Sequence, residues 1–289
     1  MSSVSDTSGR YRQRKLMDKV MTVVAYTCTA IAVLPLTWII IYVVVKGVGA
    51  WDANFFTALP QGFGDGGGVR TGIIGTFVVV GLATLIGVPI GLMAGVYLAE
   101  YGNNRLGGVI RFMADTMTGV PSIVVGLFAY GLVVGITGSY SALAGAFALA
   151  VLMIPVITRT TEEIIRLVPN SIREASMGLG VSRWKTIMRV VVPTALSGIV
   201  TGVLLAVARV AGETAPLILT IFGTNFSLGS NLVSQPYTTL SLQIYQLGKA
   251  PSPEVVEVAW GAAMLLVVIV VGTSILARVL FRGQSVSGR

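Results

Sequence analysis

Apolar and polar residues are segregated along this chain into long blocks, without the short mixed periods of a water-soluble domain. Apolar stretches occur near 20–45, 72–98, 115–135, 140–158, 193–222 and 257–280. Each approaches or exceeds the ~20 residues needed to cross about 30 Å of hydrocarbon. Only helices and closed barrels satisfy their own backbone hydrogen bonds in lipid. The pattern therefore predicts an all-α, polytopic membrane protein with about six transmembrane helices. On this reading residues 1–19 are a polar basic tail, mobile or lying at the interface, and 20–45 are the first span. Residues 46–71 form an outer loop, 72–282 hold spans two to six, and 283–289 form a second tail. Two polar stretches interrupt the core, 159–192 and 223–256, and fall on opposite faces of the membrane.

Composition agrees with this reading. Hydrophobic residues make up 54% of the 289 positions, charged residues 11%, and mean hydropathy is +0.84, outside the range of soluble domains. The first apolar stretch is too long for the core of a secretory signal and lacks a small-residue cleavage site, so it reads as an uncleaved helix. Positive charge stays on the cytoplasmic side during insertion. With both termini inside, only Lys46, Arg70 and Lys249 of the 20 Lys and Arg fall outside, and Arg209 falls within a span. The net charge of +8 is spread over span ends without interleaved aromatics, which argues against nucleic acid. Histidine is absent and Cys28 is the single cysteine. That disfavours metal sites and most general-base chemistry, and Cys28 reads as a small packing residue in span one.

Small residues mark where helices approach. Gly87, Gly91 and Gly95 recur every four residues along span two, with Pro89 among them as an expected kink; Gly198 with Gly202, and Gly131 with Gly135, repeat the device. The glycine-rich run 62–68 reads as an outer turn in preference to an anion cradle. Thr118 and Ser122 flank Pro121; their hydroxyls bond back to their own helix by default, or else meet a passing oxyanion.

The least comfortable residues are Arg209 and Glu213 in Arg209-Val210-Ala211-Gly212-Glu213-Thr214-Ala215-Pro216, with apolar residues on either side. An Arg at the centre of a bilayer helix costs ~2.5–3.5 kcal/mol even on the gentler scale, so it must meet protein, water or an opposite charge. Four residues apart, the two pair on one face if the helix continues. Gly212 and Pro216 favour a break instead, and a broken helix exposes N–H groups suited to an anion. Pro193 to Arg209 is ~24 Å of helix at 1.5 Å per residue, deep in the membrane. Arg209, Glu213, Thr214 and Ser122 are therefore the candidate residues of a solute path, with inter-subunit packing as the plainer role for the charged pair.

The stretch 159–192 carries the strongest motif. Ser171 and Glu174 have the spacing of a capping box, Gly180 supplies a left-handed stop, and Ser182 starts a second helix. Arg173, Glu174, Arg183, Lys185 and Arg189 are expected on one side of this hairpin. Glu174-Ala175-Ser176, then Gly180, then Val190-Val191-Val192-Pro193 resembles the signature of permease subunits in bacterial ABC importers. Ser176, Val190 and Val192 are conservative departures. Gly119-Val120-Pro121-Ser122 and the Arg209 to Pro216 stretch resemble the phosphate-specific permeases of that class.

That resemblance implies a type I ABC importer permease fold whose hairpin is a cytoplasmic coupling helix, with Ser171, Glu174, Ala175, Gly180 and Arg183 contacting a separate ATPase. It implies a bacterial inner-membrane location and transport of phosphate. The partners it implies are a PstC-like second permease, two copies of a PstB-like ATPase and a PstS-like outer phosphate-binding protein. The segment 223–256, with Asn231, Gln235, Tyr237, Gln243, Tyr245 and Gln246, is either the receptor's docking surface or a solvated loop. No cofactor is expected on the chain itself, and ATP is left to the partner subunit: a phosphate loop needs Gly-x4-Gly-Lys-Ser/Thr, but Ala250 follows Gly248-Lys249 and Gln243 replaces the first glycine. The chain is thus expected to be no enzyme and to have no catalytic residues. Permeation of sulfate or molybdate, or a passive anion channel, are the alternatives.

Overall fold

The computed structural model describes residues 5–61, 67–223 and 231–281. Helix α1 (Ser5–Gly47) leads through a 3-10 turn at Val48–Ala50 to the short α2 (Ala53–Thr57). Helix α3 spans Arg70–Glu100, α4 Arg105–Thr118, α5 Ser122–Ala129 and α6 Gly135–Thr137, with a π-helical turn at Tyr130–Val134 between the last two. Helix α7 (Ala142–Arg166) is followed by the hairpin of α8 (Asn170–Gly178) and α9 (Arg183–Thr186). A second π-helical turn, Ile187–Val191, leads into α10 (Val192–Ala211). The chain continues through α11 (Ala215–Thr220), α12 (Leu240–Leu247) and α13 (Pro253–Phe281). The preferred turn or anion cradle at 62–68 lies largely outside the described residues.

Among the described residues, five helices are long and apolar enough to cross a membrane, and six if one bent pair counts as a span. That pair is Arg105–Thr118 with Ser122–Thr137, bent by 107°. The stretch 115–135 is therefore not one straight span. Pro121 has no N–H to give an interior helical bond and pushes Val120 away from helical geometry, so the helix ends at Thr118 and restarts at Ser122. Residues expected to be a tail or interfacial helix are continuous with the first span, giving α1 43 residues, or about 65 Å at 1.5 Å per residue. Cys28 is exposed on its surface and so is not a buried packing residue within the chain.

Helix α7 is the axis of the core. Its alternating alanines (Ala142, Ala144, Ala146, Ala148 and Ala150) are buried, and small side chains let several helices approach at once. The glycine row of α3 lies against it: a methyl added at Gly91 would fall 2.8 Å from Ile157 Cβ, and one at Gly95 2.5 Å from Thr161 Cβ. Helix α10 uses the same device on the other side, with Gly198 against Ile164 and Gly202 against Thr160. Gly131 faces open space, and a methyl at Gly135 would meet only the Tyr130 carbonyl, at 3.7 Å, so that pair is not a packing groove within this chain. Helix α3 runs through Pro89 as one element. The central cluster joins Val79, Ala83, Leu149, Met153, Ile157, Val210, Leu217 and Ile221. At the hairpin end Ile165, Val168, Val191, Ala195 and Ile199 form a second cluster, and at the opposite end Phe55, Val69, Leu240, Leu247 and Val258 form a third.

Candidate functional site

The long apolar segment after Pro193 breaks where Gly212 and Pro216 led us to expect. Helix α10 stops at Ala211, Gly212 caps it, and α11 restarts at Ala215 with Pro216 in its first turn, where a missing N–H costs nothing. The break is held from outside: the Ser241 hydroxyl on α12 donates to the Glu213 carbonyl at 2.9 Å, and the Leu240 N–H donates to Thr76 Oγ1 on α3 at 2.8 Å. Helix α5 abuts α11 so closely that a methyl at Gly126 would lie 2.6 Å from Pro216 Cα. Ser122 sits one turn before that contact, and Glu213, Thr214 and Ser122 are all half-buried.

Arg209 is exposed. Because the helix ends between them, Arg209 and Glu213 do not pair; among the described residues no ion pair joins them. Nor does a hydrogen bond link Ser122 to either. Thr118 gives its hydroxyl to the Asp115 carbonyl of its own helix at 2.7 Å. Ser122 thus lies a turn before the α5–α11 contact on one helix, Glu213 and Thr214 just before it on the other segment, and Arg209 is left exposed.

The hairpin differs from expectation at its start. Helix α8 begins at Asn170 after Pro169, with no side-chain cap, so Ser171 lies within the first turn and makes no capping box with Glu174. Proline sets the entry angle itself, and the Val168 carbonyl is taken by the Arg173 guanidinium. Gly180 does adopt the left-handed conformation, at φ +80°, and Ser182 precedes α9. The charges are not on one side. Glu174 is exposed, as are Ser171 and Ala175, together with Met177, Leu179, Trp184 and Met188. Arg173 turns inward: its Nη2 lies 2.7 Å from Glu100 Oε1, its Nε 2.9 Å from the same oxygen, and Nη2 also reaches the Ile165 carbonyl. Arg183 likewise donates to the Glu100 backbone carbonyl and lies 4.6 Å from the centre of the Tyr101 ring.

Beside this lies a cluster that sequence reasoning missed. Glu162 on α7, 1% exposed, receives Arg111 at 2.7 Å, Arg159 at 2.8 Å and Arg166 at 2.8 Å. Arg159 also pairs with Asp115 at 2.9 Å, and Arg111 donates to the Leu98 and Gly102 carbonyls. Arg159, Glu162 and Arg166 sit at i, i+3 and i+7 of one helix, which was a readable signal. Those positions instead looked like the start of a loop. In the segment 223–256, Tyr237 and Gln243 are buried, because α12 folds back onto the start of α3. They are therefore not available as a docking surface, whereas Asn231, Gln235 and Tyr245 are exposed.

Residues 87–286 match the family described as binding-protein-dependent transport system inner membrane component. The chain belongs to this family. A phosphate transport system permease protein PstA from Haemophilus influenzae is 42% identical over 274 residues, covering 94% of this chain and 96% of its own. PstA 1 of Mycobacterium tuberculosis is 41% identical over 265 residues, covering 89% and 86%. A structure of the MetNI methionine ABC transporter, in an inward-facing conformation, superposes with a TM-score of 0.63 at 21% identity, covering 75% of this chain and 95% of the other. A bacterial ABC transporter involved in the import of the acidic polysaccharide alginate gives 0.62 at 14% identity, over 95% and 100%. The fold of this family member is therefore that of a type I ABC importer permease, and the chain is a multi-pass membrane component of a multi-subunit importer. Such a component is not itself an enzyme.

Proposed function

We infer that the chain is the transmembrane permease subunit of an ATP-driven importer of inorganic phosphate, forming half of the translocation pathway and coupled to a separate ATPase. The observation that carries this reading is the identity of 42% with PstA of H. influenzae over 94% of the chain. A PstC-like permease completes the pathway, two copies of a PstB-like ATPase power it, and a PstS-like receptor delivers phosphate. The distribution of Lys and Arg supports a cytoplasmic hairpin and cytoplasmic termini.

Arg209 offers the solute a forked set of donors suited to an oxyanion. Glu213, Thr214 and Ser122 line the same route. The exposed Ser171, Glu174, Ala175 and Arg183, with Gly180 setting the turn, support a docking face for the ATPase. ATP binding draws the ATPases together and shifts the hairpin, so that the pathway near Arg209 opens outward; hydrolysis resets it. Only a contact that differs between the two ATPase states drives such a shift.

The test is uptake of labelled phosphate into vesicles holding the complete complex, with sulfate and molybdate as competitors. Uptake that requires the ATPase and the receptor, and that neither competitor reduces, is expected. Phosphate flux at the same rate with the ATPase omitted contradicts this function and favours a passive channel.

A further inference from the structure

Both arms of the hairpin are fastened to one residue at the end of α3. Arg173, on α8, brings two nitrogens to Glu100 Oε1 at 2.7 and 2.9 Å. Arg183, on α9, donates to the backbone carbonyl of the same residue. The Glu100 carboxylate is 6% exposed and the Arg173 side chain 15%, so the pair is shielded from competing water and salt. A charge-assisted pair, here with two N–H donors on one carboxylate oxygen, is also stronger than a neutral hydrogen bond. Arg173 continues past Glu100 to the Ile165 and Val168 carbonyls at the end of α7. The C-terminus of α3 gathers further positive charge, which its dipole favours, when Arg111 takes the Leu98 and Gly102 carbonyls.

The other exit from the hairpin is built differently. Residues Ile187–Val191 form a π-helical turn between α9 and α10, and such turns are local defects in the helical ladder. The hairpin is thus joined firmly to α3 and α7, and through an irregular turn to α10, which carries Arg209. Helices α3 and α7 are in turn locked together by the Gly91 and Gly95 contacts, and α7 and α10 by those of Gly198 and Gly202.

We propose that Glu100 is the transmission residue of this permease: it makes α3 travel with the hairpin, so that displacement at the ATPase reaches the membrane core as movement of α3 together with the helices α7 and α10 packed on it. Glu100 acts by positioning the hairpin and touches no solute. The proposal rests on the functional reading above, since it presupposes a partner ATPase that pulls on the hairpin.

The experiment measures phosphate taken up per ATP hydrolysed by the reconstituted complex, for wild type and for Glu100→Gln and Arg173→Met. Loss of coupling reads as a fall in that ratio. It is expected in both variants, with complex assembly and ATP turnover retained. Spin labels on α8 and α3 provide a second measurement: their separation stays constant between nucleotide-free and ATP-bound states in wild type and changes in Glu100→Gln. An unchanged ratio overturns the proposal, as does a loss of uptake and ATP turnover in proportion, which marks a merely structural role. Absence of ATP-dependent phosphate uptake in the wild-type complex overturns the functional reading itself, which keeps the two failures apart.

Discussion

Two regions of this permease handle buried charge in opposite ways. At the hairpin end, Glu162 and Glu100 are withdrawn from solvent, and guanidinium nitrogens meet each of them at 2.7–2.9 Å. Across the break after α10, Arg209 is exposed and Glu213, four residues on, does not pair with it. The spacing for an ion pair exists in both places. What differs is the backbone: α7 is continuous through Arg159, Glu162 and Arg166, so their side chains converge, whereas α10 ends at Ala211 and turns Glu213 away. Charges that hold the chain together are satisfied within it, and the charge left over is directed to something outside the chain.

The contrast can be broken most severely at Glu162. Removing one member of a buried charge cluster costs about 3–5 kcal/mol because the others are left uncompensated. Glu162→Ala is expected near the lower end of that range, since Arg159 and Arg166 are 31% and 53% exposed and can turn to water. A lowered unfolding temperature of the purified complex reports it. A much smaller effect is expected at the rim of the same cluster. Asp115 is 57% exposed where it meets Arg159, and exposed pairs contribute about 0–1 kcal/mol, so Asp115→Asn leaves the unfolding temperature nearly unchanged. Equal losses for the two variants, measured side by side, contradict the view that burial decides the value of these pairs.

Much of this arrangement is legible in the sequence, for physical reasons that also mark where legibility ends. The spans follow from composition because lipid demands it. The glycine row of α3 is readable because close approach of two helices needs small residues at that spacing, and the break at Gly212 to Pro216 because both residues oppose helix. The turn at Gly180 is readable because its left-handed φ favours glycine. What escaped reading depends on contacts between distant parts of the chain. Ser171 and Glu174 have capping-box spacing, yet Pro169 starts the helix earlier and Arg173 occupies the preceding carbonyl. Glu162 draws Arg111 from 51 residues away, which spacing within α7 does not reveal. Gln243 looked like outer surface because it is polar, yet α12 folds back on α3 and buries it. The 107° bend at Pro121 was not expected, since 115–135 read as one span although a proline opposes helix there.

The most direct test of the contrast is phosphate uptake by the reconstituted complex carrying Arg209→Gln, with its unfolding temperature measured on the same preparation. If Arg209 is kept unpaired for the solute, uptake is lost, while stability changes by no more than about 0.5 kcal/mol, as for surface substitutions. Uptake at the wild-type rate, or retained uptake with a large drop in unfolding temperature, contradicts the account and makes Arg209 a packing charge like those of the hairpin end.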